Sequence, residues 1–254
     1  MSLQSELTRL QANVTSISSS KDAIMTALAS KGVTVPSGAT LHDVPMLIGQ
    51  INGMGPIGYV AIGGRTYKTV KIGTQEWLAE NLDYKFDVNG SQIPIGVNGD
   101  PATPAAWYYN NDEATYGVNG NKYGLLYDWA AMKYLENNKS TLLPDGWRIP
   151  TTTEWDALAT SVGGSSTAGT KLKSTTGWSS GNGDGSYDFN AFPAGSRYSG
   201  SFSLLGSYAY FWAFSTSLSS YFQRSFNTSA SMNSGYGELP SISCYSIRLV
   251  KDIT

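Results

Sequence analysis

Few side chains in this sequence are of the types that carry out covalent or metal chemistry. Cys244 is the only cysteine and His42 the only histidine. A single cysteine forms neither an intrachain disulfide nor a cysteine metal cluster, and one histidine cannot build a histidine-rich zinc site. A Ser-His-Asp hydrolase would need His42, which precedes the part of the chain that we predict to be the folded domain. No carboxylate spacing points to glycoside cleavage, so we predict that the protein is not an enzyme.

Two oxygen-rich loops are the candidates for a metal site. The stretches DVNGSQIPIGVNGD and GNGDGSYD could hold calcium through Asp87, Asn89, Asp184 and Asp188. Neither stretch completes an EF-hand pattern with its terminal Glu. Turn formation by Asn, Asp and Gly explains both loops as well. We predict no cofactor, with calcium as the alternative.

The stretch from Tyr208 to Ser246 is crowded with Ser and aromatic residues, and its only charged side chains are Arg224 and Glu238. Tyr supplies a large contact area with few rotatable bonds, while Ser and Asn supply adaptable hydrogen bonds. Low charge reduces the desolvation cost when a partner covers such a surface. This composition predicts a ligand-binding face.

Strand periodicity divides part of this stretch into two faces, because alternate residues of a strand point to opposite sides. In SSYFQRSF, the side that faces the core would carry Phe222, Arg224 and Phe226. The side that faces solvent would carry Tyr221, Gln223 and Ser225. Over the whole C-terminal region, the residues predicted to bind ligand are Tyr198, Ser201, Ser203, Ser207, Tyr208, Tyr210, Ala213, Ser217, Tyr221, Gln223, Ser225, Asn227, Ser229, Ser231 and Asn233.

Composition limits the kind of protein that carries this face. The chain has 254 residues, of which 41% are apolar and 14% charged, with a formal net charge of −2. The charge argues against nucleic acid and anionic membrane as partners. No apolar run approaches the roughly 20 residues of a membrane span, so no membrane insertion is expected. The opening residues MSLQSELTRL lack the layout of a signal peptide, which predicts a cytoplasmic protein or one released by lysis, as assembled virus particles are.

The elements that must position the face begin near Ile57, where short strands, glycine-rich turns and scattered tryptophans start. Two strands flank Gly63-Gly64, and a third begins at Gln75. PTTTEWDALATSVGG predicts a helix capped by Thr151 or Thr152. Apolar residues of YGLLYDWAAMKYL recur near helical spacing from Leu125 onward. Residues 57–254 are thus predicted to form an α+β domain.

A heptad pattern occupies residues 1–31. The a and d positions, with Lys21 in the one gap, are Leu3, Leu7, Leu10, Val14, Ile17, Ile24 and Leu28. Because the other positions are almost wholly polar, this narrow stripe buries little unless identical helices meet along it. We predict a coiled-coil oligomerisation stem, with three strands preferred to two. A single amphipathic helix packed on the main domain is the alternative.

Residues 32–56 are predicted to connect the stem to the domain. Thr40 could cap a short helix that runs to Ile51 and is broken by Asn52 and Gly53. The stretch KGVTVPSGATLHDVPMLIGQI resembles a segment of bacteriophage tail and baseplate-associated proteins, in which it joins a helical stem to a tip.

A resemblance to a known family covers residues 57–254. It rests on six blocks that occur in the same order as the motifs of that family: IGTQEWLAENLDY, YGLLYDWAAM, LPDGWRIPTTTEWDALATSVGG, AGTKLKSTTGW, FNAFPAGSR and YSIRLVKD. These resemble motifs of the Fibrobacter succinogenes major paralogous domain family. The resemblance implies a C-type lectin-like fold, in the branch shared with formylglycine-generating enzymes and with the variable proteins of diversity-generating retroelements.

The resemblance also implies roles for particular residues. Trp212 would be a core residue, and Arg224 and Arg248 would make structural hydrogen bonds. Formylglycine-generating enzymes use a cysteine pair, which Cys244 alone cannot supply. Variable proteins carry a diversified surface at the same place as the Tyr- and Ser-rich stretch, rich in Asn, Ser, Tyr, Phe, Thr and Ala. Active diversification and the ordinary composition of the wider family both account for this stretch.

Together these features predict a receptor-binding protein of a bacteriophage or prophage tail tip. Its partners would be two further copies of the chain, other tail components, and a host cell-surface glycan or protein. A surface or secreted adhesin of the same family is the alternative, against which the missing signal peptide counts. A catalytic glycan-active domain is the third possibility.

Overall fold

The structure is a computed structural model that describes residues 3–30, 35, 37, 40, 58–97, 103–117, 123–214, 222–236 and 243–253. The chain divides into two compact units, Met1–Ile57 and Gly58–Thr254. Almost all of the segment between the stem and the domain, including the predicted short helix after Thr40, lies outside the described residues.

The first unit contains one long helix, α1, over Leu3–Ser30. At about 1.5 Å per residue, its 28 residues extend for about 42 Å. Two apolar side chains of the heptad pattern are open to solvent in the single chain, Ile17 at 59% and Ile24 at 38% exposure. The helix predicted over the stem is therefore present.

The second unit is built from short strands and a few helices. In chain order the strands are β1 Gly58–Ile62, β2 Arg65–Ile72, β3 Gln75–Leu78, β4 Asp87–Val88, β5 Ser91–Gln92, β6 Ala106–Trp107, β7 Leu126–Asp128, β8 Ser196–Tyr198, β9 Ser201–Ser203, β10 Ala209–Ala213, β11 Phe222–Phe226, β12 Met232–Tyr236, β13 Ser243–Tyr245 and β14 Val250–Asp252. The helices are α2 Glu113–Tyr116, α3 Trp129–Asn137, α4 Lys139–Leu142, α5 Thr152–Ser161 and α6 Ser165–Leu172, with a 3-10 turn over Tyr109–Asn111.

The strands form four antiparallel sheets. Their orders are β1-β2-β3-β14, β10-β11-β12, β6-β7-β13-β8-β9 and β4-β5. Neighbouring strands within each sheet pair antiparallel. The unit is a mixed α/β fold of curled antiparallel sheets with few helices. No described helix combines the length and the apolar character that crossing a membrane requires.

The first hairpin follows the sequence prediction. Gly63 and Gly64 both have positive φ, at 57° and 81°, as a two-residue turn between right-twisted strands favours. β1 pairs with β2 from this turn outward, and β3 begins at Gln75. Both strand boundaries therefore agree with the pattern of turn residues.

The predicted helix over residues 150–164 is also confirmed. The Thr151 hydroxyl accepts a hydrogen bond from the Glu154 amide at 3.2 Å, and the Glu154 carboxylate accepts one from the Thr151 amide at 2.6 Å. This reciprocal pair is a capping box, which satisfies two backbone donors at the start of α5.

The apolar periodicity from Leu125 misplaces the start of α3. The helix begins at Trp129, because the Asp128 carboxylate accepts a hydrogen bond from the Ala131 amide at 2.7 Å and caps it. Leu126 belongs instead to β7, which pairs with β6 and β13. Leu126 and Tyr127 are both buried, in two different core clusters, and this burial explains the apolar run that resembled a helix.

Buried aromatic rings and one buried guanidinium hold the sheets together. Trp77 and Trp155 lie with ring centroids 4.8 Å apart. Trp212 is fully buried and its indole nitrogen donates to the Tyr127 carbonyl at 2.8 Å. Arg248 is fully buried and donates twice to the Asn81 side-chain oxygen, at 3.0 and 2.8 Å. The predicted core role of Trp212 and structural role of Arg248 are confirmed.

Candidate ligand-binding face

The three-stranded sheet β10-β11-β12 carries much of the predicted binding region, and one of its faces is core. Phe211 pairs with Arg224, and Ala209 pairs with Phe226. The rings of Phe211 and Phe226 lie 5.5 and 6.5 Å from Trp155 of α5. This face is therefore closed by α5 and by the aromatic cluster beneath it.

Arg224 fastens the same face of the sheet to α5. Its buried guanidinium donates to the Thr152 carbonyl at 3.1 Å and to the Asp156 carboxylate at 2.8 Å. The predicted structural role of Arg224 is confirmed. Phe226 and Arg224 also confirm the predicted core-facing set of β11.

The opposite face of the sheet carries uncharged side chains. One row across the three strands is Tyr210, Ser225 and Asn233, and the next is Trp212, Gln223 and Gly235. A β-carbon at Gly235 would lie 3.0 Å from the Gln223 amide nitrogen, so the Gln223 side chain lies over the glycine. Trp212 is fully buried in the main core cluster and the half-buried Tyr210 packs against that cluster, whereas Asn233 is exposed.

A stack of tyrosines extends this face beyond the sheet. Tyr208 and Tyr210 are nearly parallel at 5.3 Å, and Tyr210 stacks on Tyr245 at 5.2 Å. Burial, together with the smaller effect of the neighbouring phenols of Tyr208 and Tyr245, raises the pKa of Tyr210 to about 12. Tyr210 is therefore a neutral hydroxyl donor near neutral pH.

The hairpin β8–β9 displays a second group of predicted residues. Tyr198 pairs with Ser201 across the hairpin and with Ser243 of β13 on its other side. Tyr198, Ser201 and Ser203 are all exposed. These side chains are again an aromatic ring and hydroxyls without charge.

The turn between β11 and β12, residues 227–231, is held by contacts to its backbone. Lys173 is 2% exposed, and its ammonium donates to the Asn227 carbonyl at 3.0 Å and to the Ser229 carbonyl at 2.8 Å. The Thr170 amide donates to the Ala230 carbonyl at 3.1 Å. Burial lowers the pKa of Lys173. Because these partners are carbonyl oxygens, none of the three bonds depends on a side chain of the turn.

The structure distributes the predicted binding residues over three levels of exposure. The exposed ones are Tyr198, Ser201, Ser203, Ser229 and Asn233. The half-buried ones are Ser207, Tyr208, Tyr210, Gln223, Asn227 and Ser231. The buried ones are Ala213 and Ser225, and those outside the described residues are Ser217 and Tyr221.

Two of these residues have little side-chain surface for physical reasons. Ala213 is 1% exposed because it lies in the core cluster with Phe211 and Phe226. Ser225 is 9% exposed because its small side chain lies on the central strand, between the larger Tyr210 and Asn233. Ala213 therefore lies on the core side of the sheet, and Ser225 offers little surface to a ligand.

Sequence reasoning missed Lys173 and Tyr245 as parts of this face. Lys173 is 54 residues from Asn227, and nothing near it in sequence marks it as a buried cation. Tyr245 lies within the Tyr- and Ser-rich stretch. It belongs to β13, which pairs with β7, and its ring stacks on that of Tyr210. Composition could have indicated Tyr245 but not Lys173.

The oxygen-rich loops have geometry of their own. Asp184 accepts hydrogen bonds from Lys171 at 2.7 Å and from the Ser186 amide at 2.9 Å. Asn89 and Asp188 have φ of 52° and 50°, the left-handed conformation common for Asn and Asp in turns. Over the described residues, no three His, Cys, Asp or Glu side chains gather as a metal site would require.

The lone cysteine lies on β13, the central strand of the five-stranded sheet. Cys244 is buried, and burial raises the pKa of its thiol to about 12, with the charge of Asp128 adding to the effect. A thiol reacts through its thiolate, so Cys244 is a core side chain rather than a nucleophile.

The fold and this face define a mixed α/β domain that displays uncharged aromatic, hydroxyl and amide groups on a buried aromatic scaffold. The chain matches the model of the Fibrobacter succinogenes major domain over residues 70–251, and it belongs to that family. Comparison with curated proteins and with solved structures gave no significant match.

Proposed function

We propose that this protein is a receptor-binding protein of a bacteriophage or prophage tail tip, with a C-type lectin-like domain. Its binding face comprises the outer side of β10-β11-β12, the turn 227–231 and the hairpin β8–β9, which together we call the C-terminal face. The ligand is a host cell-surface glycan or protein, and it is bound without turnover.

One observation carries this proposal. The C-terminal face displays uncharged side chains, while the backbone beneath it is fixed by buried groups such as Lys173 and Arg224. A rigid backbone lowers the entropy lost on binding, and uncharged donors and acceptors lose less hydration than ions. Such a face suits recognition of a polar surface that bears hydroxyls or amides.

The stem supports a trimer within the same proposal. Ile17 and Ile24 of α1 expose apolar surface in the single chain, and burial between identical helices would remove it from water. Three weak C-terminal faces on one stem gain avidity through effective concentration without any new contact. Light scattering of the full chain and of a chain lacking residues 1–31 tests the stem, because equal protomer numbers would contradict it.

Diversification by a retroelement is a separate part of the proposal. The bonds that tie the turn 227–231 to Lys173 and Thr170 support it, because they end on backbone carbonyls and survive a change of side chain there. Sequencing of the flanking DNA tests it. A second copy of the final coding segment beside a reverse transcriptase gene, differing only at adenines of that copy, is the expected finding.

Binding to bacterial cells tests the function itself. Fluorescently labelled full-length protein is incubated with a panel of bacterial strains and bound label is measured by flow cytometry. Tyr208→Ser with Asn233→Ala should reduce binding to the recognised strain about tenfold or more, since aromatic contacts dominate such interfaces. Tyr59→Ser is the matched control, because Tyr59 is 55% exposed on β1.

Equal loss of binding in the Tyr59→Ser control would contradict the assignment of the C-terminal face. Purified cell-surface polysaccharide is incubated with the protein in parallel. Release of reducing ends would contradict binding without turnover. Detection of the protein in purified virus particles, rather than on the producing cell's surface, separates a tail protein from an adhesin.

A further inference from the structure

We propose that a groove along α3, distinct from the C-terminal face, binds an acidic sugar residue. The groove has a volume of about 460 Å³ and lies between α3, the β4–β5 hairpin and Pro104. This volume is within the range of small-molecule sites, roughly 300–1,000 Å³.

One wall of the groove is a continuous stripe of α3. Trp129, Lys133 and Asn137 recur at intervals of four residues and therefore share one side of the helix. Trp129 is half-buried, whereas Lys133 and Asn137 are exposed. An indole ring, an ammonium and an amide thus face the same space.

The opposite wall is fixed to α3 by the hairpin turn. The Asn89 amide donates to the Tyr134 hydroxyl at 3.2 Å, and the Tyr134 ring stacks on Phe86 at 6.1 Å. Asn89 has a φ of 52°, so its exposed side chain is held at the tip of the turn beside the groove. The groove therefore has preorganised walls rather than two independent surfaces.

The chemistry of the lining selects the ligand class. A sugar ring presents a C–H face that packs on an aromatic ring, and hydroxyls at its edge that pair with amides. Lys133 is the single charged residue among the described residues that line the groove, and no carboxylate lies among them. A carboxylate on the sugar would pair with this ammonium in a charge-assisted hydrogen bond.

Titration by NMR tests the proposal with simple probes. The full-length protein is titrated with sodium glucuronate, with methyl glucoside and with sodium acetate, and saturation transfer and backbone shifts are followed. Glucuronate should give saturable shifts in α3 and in the β4–β5 hairpin, and bind more tightly than either other probe. Lys133→Met should weaken glucuronate about tenfold or more, from the loss of one hydrogen bond to a charged group.

Two matched controls distinguish a specific effect at the groove from the general effect of removing a lysine charge or of changing a turn residue to glycine. Lys68→Met removes an exposed ammonium outside the groove and should leave glucuronate binding unchanged. Asn89→Gly removes the amide while glycine retains the positive φ, and should weaken glucuronate. Asn110→Gly, at a φ of 54° outside the groove, should not.

Absence of saturable glucuronate binding, or equal binding of glucuronate, methyl glucoside and acetate, would overturn the proposal. Unchanged glucuronate affinity in Lys133→Met would do the same. Tyr208 and Asn233 lie outside the groove. The effect of their substitutions on cell binding therefore tests the proposed function, and the glucuronate titrations test the groove alone.

Discussion

Replacement of the buried Lys173 should loosen the turn 227–231 while leaving the rest of the domain folded. Lys173→Met keeps most of the aliphatic stem but removes the ammonium, which lies 4.9 Å from the centroid of the Trp178 ring. Two hydrogen bonds to the charged group are lost, each worth about 1.5–3 kcal/mol. Relief of the ammonium's desolvation and rehydration of the two carbonyls offset part of this loss. We expect the free energy of unfolding to fall by about 2 kcal/mol.

The assay combines stability with local exchange. For a domain of this size, about 2 kcal/mol corresponds to a fall in Tm of roughly 4–8 °C. Amide hydrogen exchange should accelerate at Ser229 and Ser231, whose amides bond to side chains within the turn. Lys171→Met, two residues earlier in the last turn of α6, is the matched control, because its ion pair with Asp184 lies at the surface and should contribute little to stability.

The reasoning would be refuted if Lys173→Met and Lys171→Met lowered the free energy of unfolding equally and exchange in the turn stayed unchanged. Lys173→Arg provides a further check. Arginine keeps a permanent charge and several donors, so exchange protection of the turn should be partly retained.

Three further predictions concern single contacts. Burial raises the pKa of Asp128 from 3.8 to about 6, so the folded state binds the proton more tightly and stability falls as pH rises through that interval. Asp128→Asn should remove this dependence. In urea titrations, the free energy of unfolding of the variant minus that of the wild-type protein should be about 1–3 kcal/mol higher at pH 7 than at pH 4. Thr151→Ala should cost about 1 kcal/mol in the same titration, through loss of the α5 cap. Gly183→Ala should cost more than about 3 kcal/mol or abolish soluble expression, since its β-carbon would lie 1.9 Å from the Lys173 carbonyl oxygen.

Local signals in the sequence predicted the elements that depend on local physics. Gly63 and Gly64 indicated a turn because positive φ is inexpensive for glycine, and Thr151 with Glu154 indicated a helix start because both partners of the capping box lie within one turn. The division of β11 into two faces followed from its period of two. Each of these features is decided within a few residues.

Features that depend on distant partners were less accessible. The start of α3 was misplaced because Leu126 is apolar for a reason that lies in β6 and β13, far away in sequence. The burial of Ala213 and Ser225 depends on what covers each side of the sheet. Lys173 was not predicted because its partners, the carbonyls of Asn227 and Ser229, are present in every sequence and leave no mark of their own.

In this chain of low charge, three cationic side chains are buried and hold the backbone rather than lying on the surface. Lys173, Arg224 and Arg248 are all buried, and each donates to at least one backbone carbonyl. A cation bound to carbonyl oxygens fixes the path of a segment whatever side chains that segment bears. The outward side chains of the C-terminal face can then be chosen for contact with a ligand instead of for stability. If this reasoning holds, substitutions at the exposed Asn233 that alter cell binding should change the free energy of unfolding by less than about 0.5 kcal/mol, the usual range for exposed positions.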